Sequence, residues 1–485
     1  MAPVDPVRRQ LLRRAFFGMG LLSVGRLLPA CGRVVDRPPR VDPDSAAATR
    51  ATAPLAPALS GREPLRYAHG ASGPADPSVE VVTTQPGREA AGRYDERPST
   101  PDTAPGNDRS AAGADAPLPP ADTTLPRPRP PTILLQAEDE NGIELPAGFT
   151  SRVVARSGER PVAGSDYLWH DAPDGGATFG LSDGGHVYVS NSEIAGTGGV
   201  GALRFDAAGT LVDAYPVLEG SSRNCAGGAT PWGTWISCEE VANGLCWECD
   251  PLGRWPAVTR PALGVFNHEA VAVDVLNHHV YLTEDRLDGR LYRFTASALM
   301  EDGSLDLRSG LLEVMEVVED VEGSVRWHEV PDPAASVMDT RLQVPASTPF
   351  RGGEGIWFHQ GVVFFATKLD NRVWALDVEQ QRLSLIYDVR WYPSPTLTGI
   401  DNLAMSPSGH LLVAEDEGNM ELALLDADGD PHVLLRVRGQ GGSELAGPAF
   451  DLTGTRLYVS SQRGQGSGNR GITYEIRGPF DQLEI

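Results

Sequence analysis

The sequence predicts an all-β fold, a six-bladed β-propeller, and three observations lead to this prediction. From residue 132 onward, short β-branched and aromatic runs alternate with Gly, Asp, Asn and Pro, which is typical of consecutive short strands. One strand pattern recurs six times, mostly at a constant spacing. Several copies are followed by a turn and a further strand, as expected of antiparallel sheets repeated around an axis.

The repeated strand is the observation that sets the architecture. Its copies are GHVYVS (185–190), WGTWIS (232–237), HVYLT (279–283), VVFFAT (362–367), HLLVA (410–414) and RLYVS (456–460). The intervals between their equivalent central residues are 48, 46, 83, 48 and 46 residues, so four of the five agree closely. The long interval contains the polar stretch 296–348, which we interpret as an insertion, with a seventh blade as the alternative. We expect the early strand 150–155 to close the ring by pairing with the last blade, which would protect exposed strand edges.

The N-terminus has the features of a twin-arginine export signal, which we assign to residues 1–31. Two double-arginine segments, Arg8-Arg9 and Arg13-Arg14, precede an apolar stretch over residues 15–30. That stretch is shorter than the roughly 20 apolar residues that span a bilayer, so a transmembrane helix is the weaker interpretation. Residues 28–31 (LPAC) resemble a lipoprotein cleavage box, in which Cys31 would be lipidated and tether the protein to a membrane. The alternative is an ordinary signal that ends at Ala30. Both predict a periplasmic or cell-surface protein.

Residues 32–131 are predicted to be a disordered Pro/Ala-rich linker, which leaves 132–485 as the propeller domain. The linker shows no sustained hydrophobic periodicity and cannot bury enough apolar surface to offset its ordering entropy. The formal net charge of −24 argues against a nucleic-acid partner, since phosphates require clustered Lys and Arg. We expect a monomer that acts on a small molecule.

Two sets of polar residues recur in phase with the strands. One set follows the strand copies and comprises Asn191, Glu193, Glu239, Glu240, Glu284, Asp285, Asp370, Asn371, Glu415 and Asp416, with Ser461 and Gln462 after the last copy. The other precedes the central residues by ten to thirteen positions and comprises Cys225, His268, Glu269, Glu354, Asp401 and Asn402. Equivalent positions of successive blades lie around one axis, so these carboxylates would crowd together at a cost that bound cations relieve. Solvated turn residues are the alternative explanation for any single member.

The sets define a predicted metal site at the axis. Oxygen ligands favour calcium, whereas the thiol of Cys225 would favour a softer transition metal. The predicted ligands are Cys225, Glu240, Glu269, Glu284, Asp285, Glu354, Asp401, Asn402 and Glu415. Arg351 and Lys368 are the candidate catalytic residues, because they could supply positive charge to an anionic substrate. Neutralisation of the carboxylates is the alternative role for both.

Three further cysteines lie close together, at positions 238, 246 and 249. In an oxidising compartment some pairing among them is expected, although the sequence does not define which two pair.

Several of these segments resemble the PhoX-type phosphatase family of exported bacterial propellers. The most distinctive is NCAGGATPWGTWISCEE at residues 224–240. Supporting segments are HEAVAVD (268–274), YLTEDR (281–286), FRGGEG (350–355), DNLA (401–404) and the pair Glu415-Asp416. The resemblance extends from about residue 145 to the C-terminus, and the Arg-to-Glu spacing in FRGGEG is one residue longer than in the family pattern.

The resemblance implies a phosphomonoesterase with a mixed iron and calcium cluster. By this resemblance Cys225, Glu284 and Glu354 would bind iron, and Arg351 would contact phosphate. The implied calcium ligands are Glu240, Glu269, Asp285, Asp401 and Glu415.

Three functions are therefore compatible with the sequence. The first is metal-dependent hydrolysis of phosphate monoesters. The second is a calcium-dependent lactonase or esterase, since Asp401-Asn402 ahead of residues 409–415 also resembles the sugar-lactonase propellers. The third is a tethered, non-catalytic binding module in which calcium only rigidifies the fold.

Overall fold

The computed structural model describes residues 133–319, 321–416, 418–466, 468–483 and 485. The predicted export signal (1–31), Cys31 and the predicted linker (32–131) lie outside these residues. Within the described part of the chain, no helix has the length and apolar character needed to cross a bilayer.

Apart from four single-turn 3-10 helices, the regular structure of the described residues consists of strands. The 3-10 helices are Pro261–Leu263, Thr340–Leu342, Val389–Trp391 and Phe480–Gln482. Two strands precede the repeats: β1 (Ile143–Glu144) and β2 (Thr150–Arg156). The first repeat contains β3 (Pro173–Gly180), β4 (His186–Ser192), β5 (Gly198–Phe205) and β6 (Leu211–Ser221). The second contains β7 (Gly228–Ala229), β8 (Trp235–Cys238), β9 (Cys246–Cys249) and β10 (Val258–Thr259).

The third repeat contains β11 (His268–Asp274), β12 (His279–Glu284), β13 (Leu291–Ala296) and β14 (Gly310–Val317), and β15 (Gly323–Glu329) follows it. The fourth contains β16 (Gly353–His359), β17 (Val362–Thr367), β18 (Arg372–Asp377) and β19 (Arg382–Asp388). The fifth contains β20 (Ile400–Met405), β21 (Leu411–Glu415), β22 (Glu421–Leu425) and β23 (Pro431–Val437). The last contains β24 (Leu445–Phe450), β25 (Arg456–Ser461) and β26 (Ile472–Arg477).

Antiparallel hydrogen bonding organises these strands into five sheets. Residues 296–348 contribute β14, which extends the sheet of β11–β13, and β15, which pairs with both β14 and β19. The third and fourth repeats therefore form one nine-stranded sheet. The hydrogen bonding thus gives five sheets where six separate blades were predicted, because β15 bridges two of the repeats.

The arrangement of the sheets is propeller-like, as the sequence predicts. Each copy of the repeated strand is the second strand of its group, namely β4, β8, β12, β17, β21 and β25. The first strands contact one another in the order β3, β7, β11, β16, β20, β24, and β24 contacts β3 again. The predicted early strand, β2, pairs with β26 of the last repeat, so the chain closes the ring with strands from both of its described ends.

Glycines allow the first strands to approach one another closely at the axis. A Cβ atom added at Gly175 would lie 1.8 Å from the Ala226 carbonyl oxygen, and one added at Gly228 would lie 2.0 Å from the Val271 carbonyl oxygen. Since no side chain larger than hydrogen fits there, backbone lines much of a narrow axial cavity. Aromatic side chains fill the space between adjacent sheets farther out, as where Tyr188 of β4 stacks on Tyr458 of β25.

Candidate metal centre

The strand register places one residue of each first strand at the same height along the axis. The start of the first strand pairs with the end of the second at Pro173↔Ser192, His268↔Glu284, Gly353↔Thr367, Ile400↔Glu415 and Leu445↔Ser461. In the second repeat the equivalent pair, Asn224↔Glu239, is an isolated bridge just outside β7 and β8. The residues that follow the first partner of each pair are Asp174, Cys225, Glu269, Glu354, Asp401 and Ala446. We call them the first ring; five of its six members carry a metal-binding side chain.

A second ring arises from the residues that follow the partners on the second strand. Its members are Glu193, Glu240, Asp285, Lys368, Asp416 and Gln462. The two rings are adjacent, since the Gln462 amide donates hydrogen bonds to Asp174 Oδ2 at 2.6 Å and to Glu193 Oε2 at 2.9 Å. Equivalent positions in successive repeats thus converge, as the phase of the sequence pattern indicates.

Three groups of side chains in the described residues have ligand atoms within 4.8 Å of one another. They are Asp174–Glu193–Cys225, Glu269–Glu354–Asp401 and Asp401–Asp416–Glu444. Of the predicted ligands, the structure therefore brings Cys225, Glu269, Glu354 and Asp401 into such groups. Glu240 and Asp285 lie in the second ring, close enough for their charges to act on Glu354.

Glu269 and Glu354 are buried without enough partners to compensate their charge. Their exposed fractions are 1% and 2%, and the Oε1 atom of each accepts no hydrogen bond from the residues that the structure describes. The Lys368 ammonium lies 3.6 Å from Glu354 Oε1. Leaving such oxygens unpaired in the protein interior is costly, so the geometry favours a bound cation between them.

Burial and mutual repulsion raise the pKa of several ring carboxyl groups. Burial raises the pKa of Glu269 and Glu354 well above the usual glutamate value, and the neighbouring carboxylates add to the effect. Burial and the charge of Glu193 raise the pKa of Asp174 to about 7. Desolvation and the neighbouring carboxylates also raise the pKa of the Cys225 thiol, which is half-buried. A cation would reverse each of these shifts by favouring the charged form.

The protein partly neutralises the rings with its own basic side chains. The Lys368 ammonium lies 2.9 Å from Asp401 Oδ2 and 2.7 Å from Asp416 Oδ2. Arg463 lies 3.0 Å from Glu444 Oε2. The carboxylates around Lys368 outweigh its burial and raise its pKa well above the usual lysine value. Lys368 and Arg463 thus neutralise part of the negative charge of the third group, Asp401–Asp416–Glu444. The group that contains Glu269 has less positive charge beside it.

Two of the predicted ligands, Glu284 and Glu415, lie outside both the three groups and the two rings. Glu284 accepts a hydrogen bond from the Tyr292 hydroxyl at 2.8 Å, and Glu415 accepts one from the Thr398 backbone N–H at 2.6 Å. Successive side chains of a strand point to opposite faces, so Asp285 and Asp416 occupy the ring and the residues before them are turned away. Burial raises the pKa of Glu284 to about 7 and that of Glu415 to about 8.

The remaining predicted residues have supporting or peripheral positions. Asn402 is buried, donates to Asp401 Oδ1 at 2.6 Å and accepts from the Gly447 N–H at 2.7 Å, so it orients Asp401. Arg351 is exposed. It precedes Gly352, where an added Cβ would lie 3.3 Å from Asp285 Oδ1, so Arg351 lies next to the second ring.

Several residues of the site were not among the predicted ligands. Asp174 lies thirteen positions before Val187, within the spacing that defined the second polar set, so the same rule could have identified it. Glu193 and Asp416 were recognised as members of the polar pairs but not as ligands. Glu444 and Arg463 carry no signal in phase with the repeat that separates them from ordinary loop residues.

The residues present fit a metal ion. Glu269, Glu354 and Asp401 offer carboxylate oxygens, two of which accept no hydrogen bond within the described part of the chain, and this suits a hard cation such as calcium. Asp174, Glu193 and Cys225 add a thiol to two carboxylates, which suits a transition metal. The fold and site together define an all-β, propeller-like protein with an acidic candidate metal centre on its axis.

Comparison with known proteins identifies the family that this chain resembles. The family model described as alkaline phosphatase PhoX matches residues 194–251 and 243–384. This region contains Cys225, Glu269 and Glu354, and the match confirms the resemblance indicated by the sequence motifs. No curated protein sequence matches the chain.

Solved structures with a similar chain trace have little sequence in common with this protein. XC5397 from Xanthomonas campestris, a gluconolactonase, is 13% identical with a TM-score of 0.43, covering 72% of this chain and 99% of its own. A protein of unknown function from Bacteroides thetaiotaomicron VPI-5482 is 8% identical with a TM-score of 0.44, covering 68% of this chain and 76% of its own. A chain of a nidogen/laminin complex is 12% identical with a TM-score of 0.34, covering 57% and 86%.

Proposed function

We propose that this protein is an exported, metal-dependent phosphomonoesterase whose six-bladed propeller gathers its ligands on the axis. The count of six treats the two halves of the nine-stranded sheet as separate blades. The observation that carries the proposal is the pair of buried carboxylate oxygens of Glu269 and Glu354 that lie beside Asp401 and accept no hydrogen bond from the described residues. The match to the alkaline phosphatase PhoX family over residues 194–384 supports the choice of reaction.

The ligand groups differ in chemistry, and we assign different metals to them. Glu269, Glu354 and Asp401 would hold calcium, and Asp174, Glu193 and Cys225 would hold iron or a second calcium. A cation bound there supplies Lewis acidity toward phosphoryl oxygens.

The chain's own residues would bind and orient the substrate. Lys368 is held by carboxylates of both rings, which fixes its ammonium group at the centre of the site. There it offsets negative charge that would otherwise repel an anionic phosphate. Arg351, exposed beside the second ring, is positioned to contact phosphate oxygens from the solvent side.

A calcium-dependent lactonase or esterase is the second candidate. It is favoured by the Asp401–Asn402 pair, in which the amide of Asn402 holds Asp401 in place for a single oxygen-coordinated cation. A non-catalytic propeller that binds calcium for rigidity is the third candidate, and the experiment below includes it as an outcome.

The test is hydrolysis by the purified full-length protein, loaded with Ca²⁺ or with Fe³⁺ and Ca²⁺, of p-nitrophenyl phosphate and of a δ-lactone. We expect phosphate release that chelation abolishes and that Glu354→Gln reduces by at least about 100-fold, since a lost transition-state contact of about 2.7 kcal/mol corresponds to that factor. Glu284→Gln, which alters a buried glutamate outside the ligand groups, is the matched control. Lactone opening without phosphate release would favour the second candidate, and metal binding without turnover of either substrate would favour the third.

A further inference from the structure

The cysteines of the second repeat form a geometry that the axial site does not use. Cys238 on β8 and Cys246 on β9 are directly opposite in the antiparallel register, and their Sγ atoms are 3.8 Å apart. Both side chains are fully buried. Opposite residues of an antiparallel pair have Cα atoms about 4.5 to 5.5 Å apart, within the range that a disulfide spans.

We propose that Cys238 and Cys246 are a thiol pair that oxidises to a cross-strand disulfide, which anchors the strand ends behind the axial site. The inference does not depend on the proposed phosphatase activity. It follows from the strand register and the positions of the thiols. It selects one pair among the three cysteines whose pairing the sequence did not define.

The other two described cysteines are excluded by position. Cys249 is three residues from Cys246 on the same strand, so its side chain points to the opposite face of the sheet. There it packs with Trp235 and Val189, whereas Cys238 and Cys246 pack with Leu263 and Phe266. Cys225 lies on the axis with Asp174 and Glu193.

His268 adds a contact that orients the pair. Its Nδ1 atom lies 3.4 Å from Cys246 Sγ, and its Nε2 atom lies 3.0 Å from the Gly264 carbonyl oxygen. The ring is therefore held from both sides, and it holds Cys246 Sγ beside Cys238.

The backbone near Cys238 supports three members of the rings. The Cys238 carbonyl accepts from the Cys225 N–H at 3.0 Å, the Glu239 carbonyl accepts from the His268 N–H at 3.1 Å, and the Glu240 N–H donates to the Arg223 carbonyl at 2.8 Å. A covalent link at Cys238 would thus restrain the chain segments that carry Cys225, Glu240 and Glu269.

The oxidation uses a small-molecule disulfide while the thiols are still accessible during folding. One cysteine thiolate attacks a sulfur of oxidised glutathione, which forms a mixed disulfide and releases one glutathione thiolate. The second cysteine thiolate then attacks the mixed disulfide, forms the Cys238–Cys246 bond and releases the second glutathione. Two protein thiols are oxidised, one glutathione disulfide is reduced, and the two thiol protons pass to the two glutathione thiolates.

The test is to refold the full-length protein with a mixture of oxidised and reduced glutathione, alkylate free thiols and map the pairing by mass spectrometry. Cleavage after glutamate separates Cys246, in residues 241–248, from Cys249, and fragmentation distinguishes Cys225 from Cys238. We expect a single link between Cys238 and Cys246 with alkylated Cys225 and Cys249. Pairing of any other two cysteines, or alkylation of both Cys238 and Cys246, would overturn the proposal.

Thermal unfolding of the oxidised and the reduced wild-type protein provides a second readout. We expect the melting temperature of the oxidised protein to exceed that of the reduced protein by several degrees, about what a short-loop disulfide contributes. The variant Cys249→Ser should retain both the link and the difference. Loss of the link in Cys249→Ser would contradict the assignment.

Discussion

Lys368 Nζ lies 2.9 Å from Asp401 Oδ2, which joins a basic member of the second ring to an acidic member of the first ring. The same ammonium contacts Asp416 at 2.7 Å and Glu354 at 3.6 Å. One internal cation thus compensates three carboxylates. It forms no ion pair with Glu269, whose Oε1 atom accepts no hydrogen bond within the described residues. The charge that remains uncompensated is what a bound metal ion would neutralise.

Removing this internal cation should destabilise the metal-free protein. We expect Lys368→Met to lower the free energy of unfolding in the presence of chelator by about 3 kcal/mol, because it leaves buried carboxylates uncompensated. Excess Ca²⁺ should restore part of that loss. The matched control is Arg223→Gln, whose half-exposed guanidinium lies 3.3 Å from Glu193 and should cost less than about 1 kcal/mol. Urea unfolding with and without calcium measures both, and equal losses in the two variants would contradict the assigned role of Lys368.

The ligand set can be distinguished from its sequence neighbours by calcium titration calorimetry. Glu269→Gln and Glu354→Gln should each weaken calcium binding by at least about tenfold, a change of about 1.4 kcal/mol or more. Glu415→Gln should leave the affinity within about twofold, because its carboxylate accepts backbone hydrogen bonds outside the ligand groups. Weaker binding in Glu415→Gln with unchanged binding in Glu354→Gln would invert the assignment.

Stability should fall as the pH rises through neutrality when metal is removed. Burial raises the pKa of Glu415 to about 8 in the folded protein, so between its unfolded value and pH 8 the folded state binds more protons than the unfolded state. Under this condition the free energy of unfolding decreases with pH. From about pH 6.5 to pH 8 the loss from Glu415 should be about 1–2 kcal/mol. Glu415→Gln should remove this loss, which urea unfolding at several pH values and fixed ionic strength measures. An unchanged dependence of the free energy of unfolding on pH would contradict the raised pKa of Glu415.

The close approach of the first strands should make their glycines intolerant of substitution. Gly175→Ala should lower the free energy of unfolding by about 3 kcal/mol or prevent folding, since its Cβ would collide with the Ala226 backbone. Gly442→Ala is the control, because a Cβ added there would meet no atom within 4 Å and its backbone is not in the left-handed region. Thermal unfolding of the two variants measures the difference, and similar melting temperatures would mean that the axis is loosely packed.

Arg351 offers a test of substrate binding apart from metal binding. Its side chain is exposed, so Arg351→Gln should leave metal content and melting temperature unchanged. If the guanidinium contacts phosphate, KM for p-nitrophenyl phosphate should rise by about tenfold or more, which corresponds to the roughly 1.5–3 kcal/mol of a hydrogen bond to a charged group. An unaltered KM would show that Arg351 does not contact the substrate phosphate.

The repeated strands and their phase could be predicted from the sequence because both depend on local patterns. Val187 and Tyr458 mark equivalent strands whose alternation and spacing are visible without tertiary information. The bridging strand β15 could not be predicted, because it lies in the stretch 296–348, outside the repeated pattern, and its pairing with β19 is a tertiary contact that no repeat position indicates.

The choice within each acidic pair was the less predictable part of the site. Glu284-Asp285 and Glu415-Asp416 each place two carboxylates at a strand end, and only the strand register determines which one faces the axis. Pairing of Glu284 with His268 and of Glu415 with Ile400 turns the following residue inward. A consistent rule of taking the residue after the paired position would have selected Asp416 instead of Glu415.

Elemental analysis of the full-length protein, purified without added metal and then dialysed against a metal-free buffer, tests the central claim most directly. We expect at least one tightly bound divalent or trivalent cation per chain, which Glu354→Gln loses and Glu284→Gln keeps. Wild-type protein that contains no metal, binds none on addition and retains full stability would contradict the claim that the two rings form a metal centre.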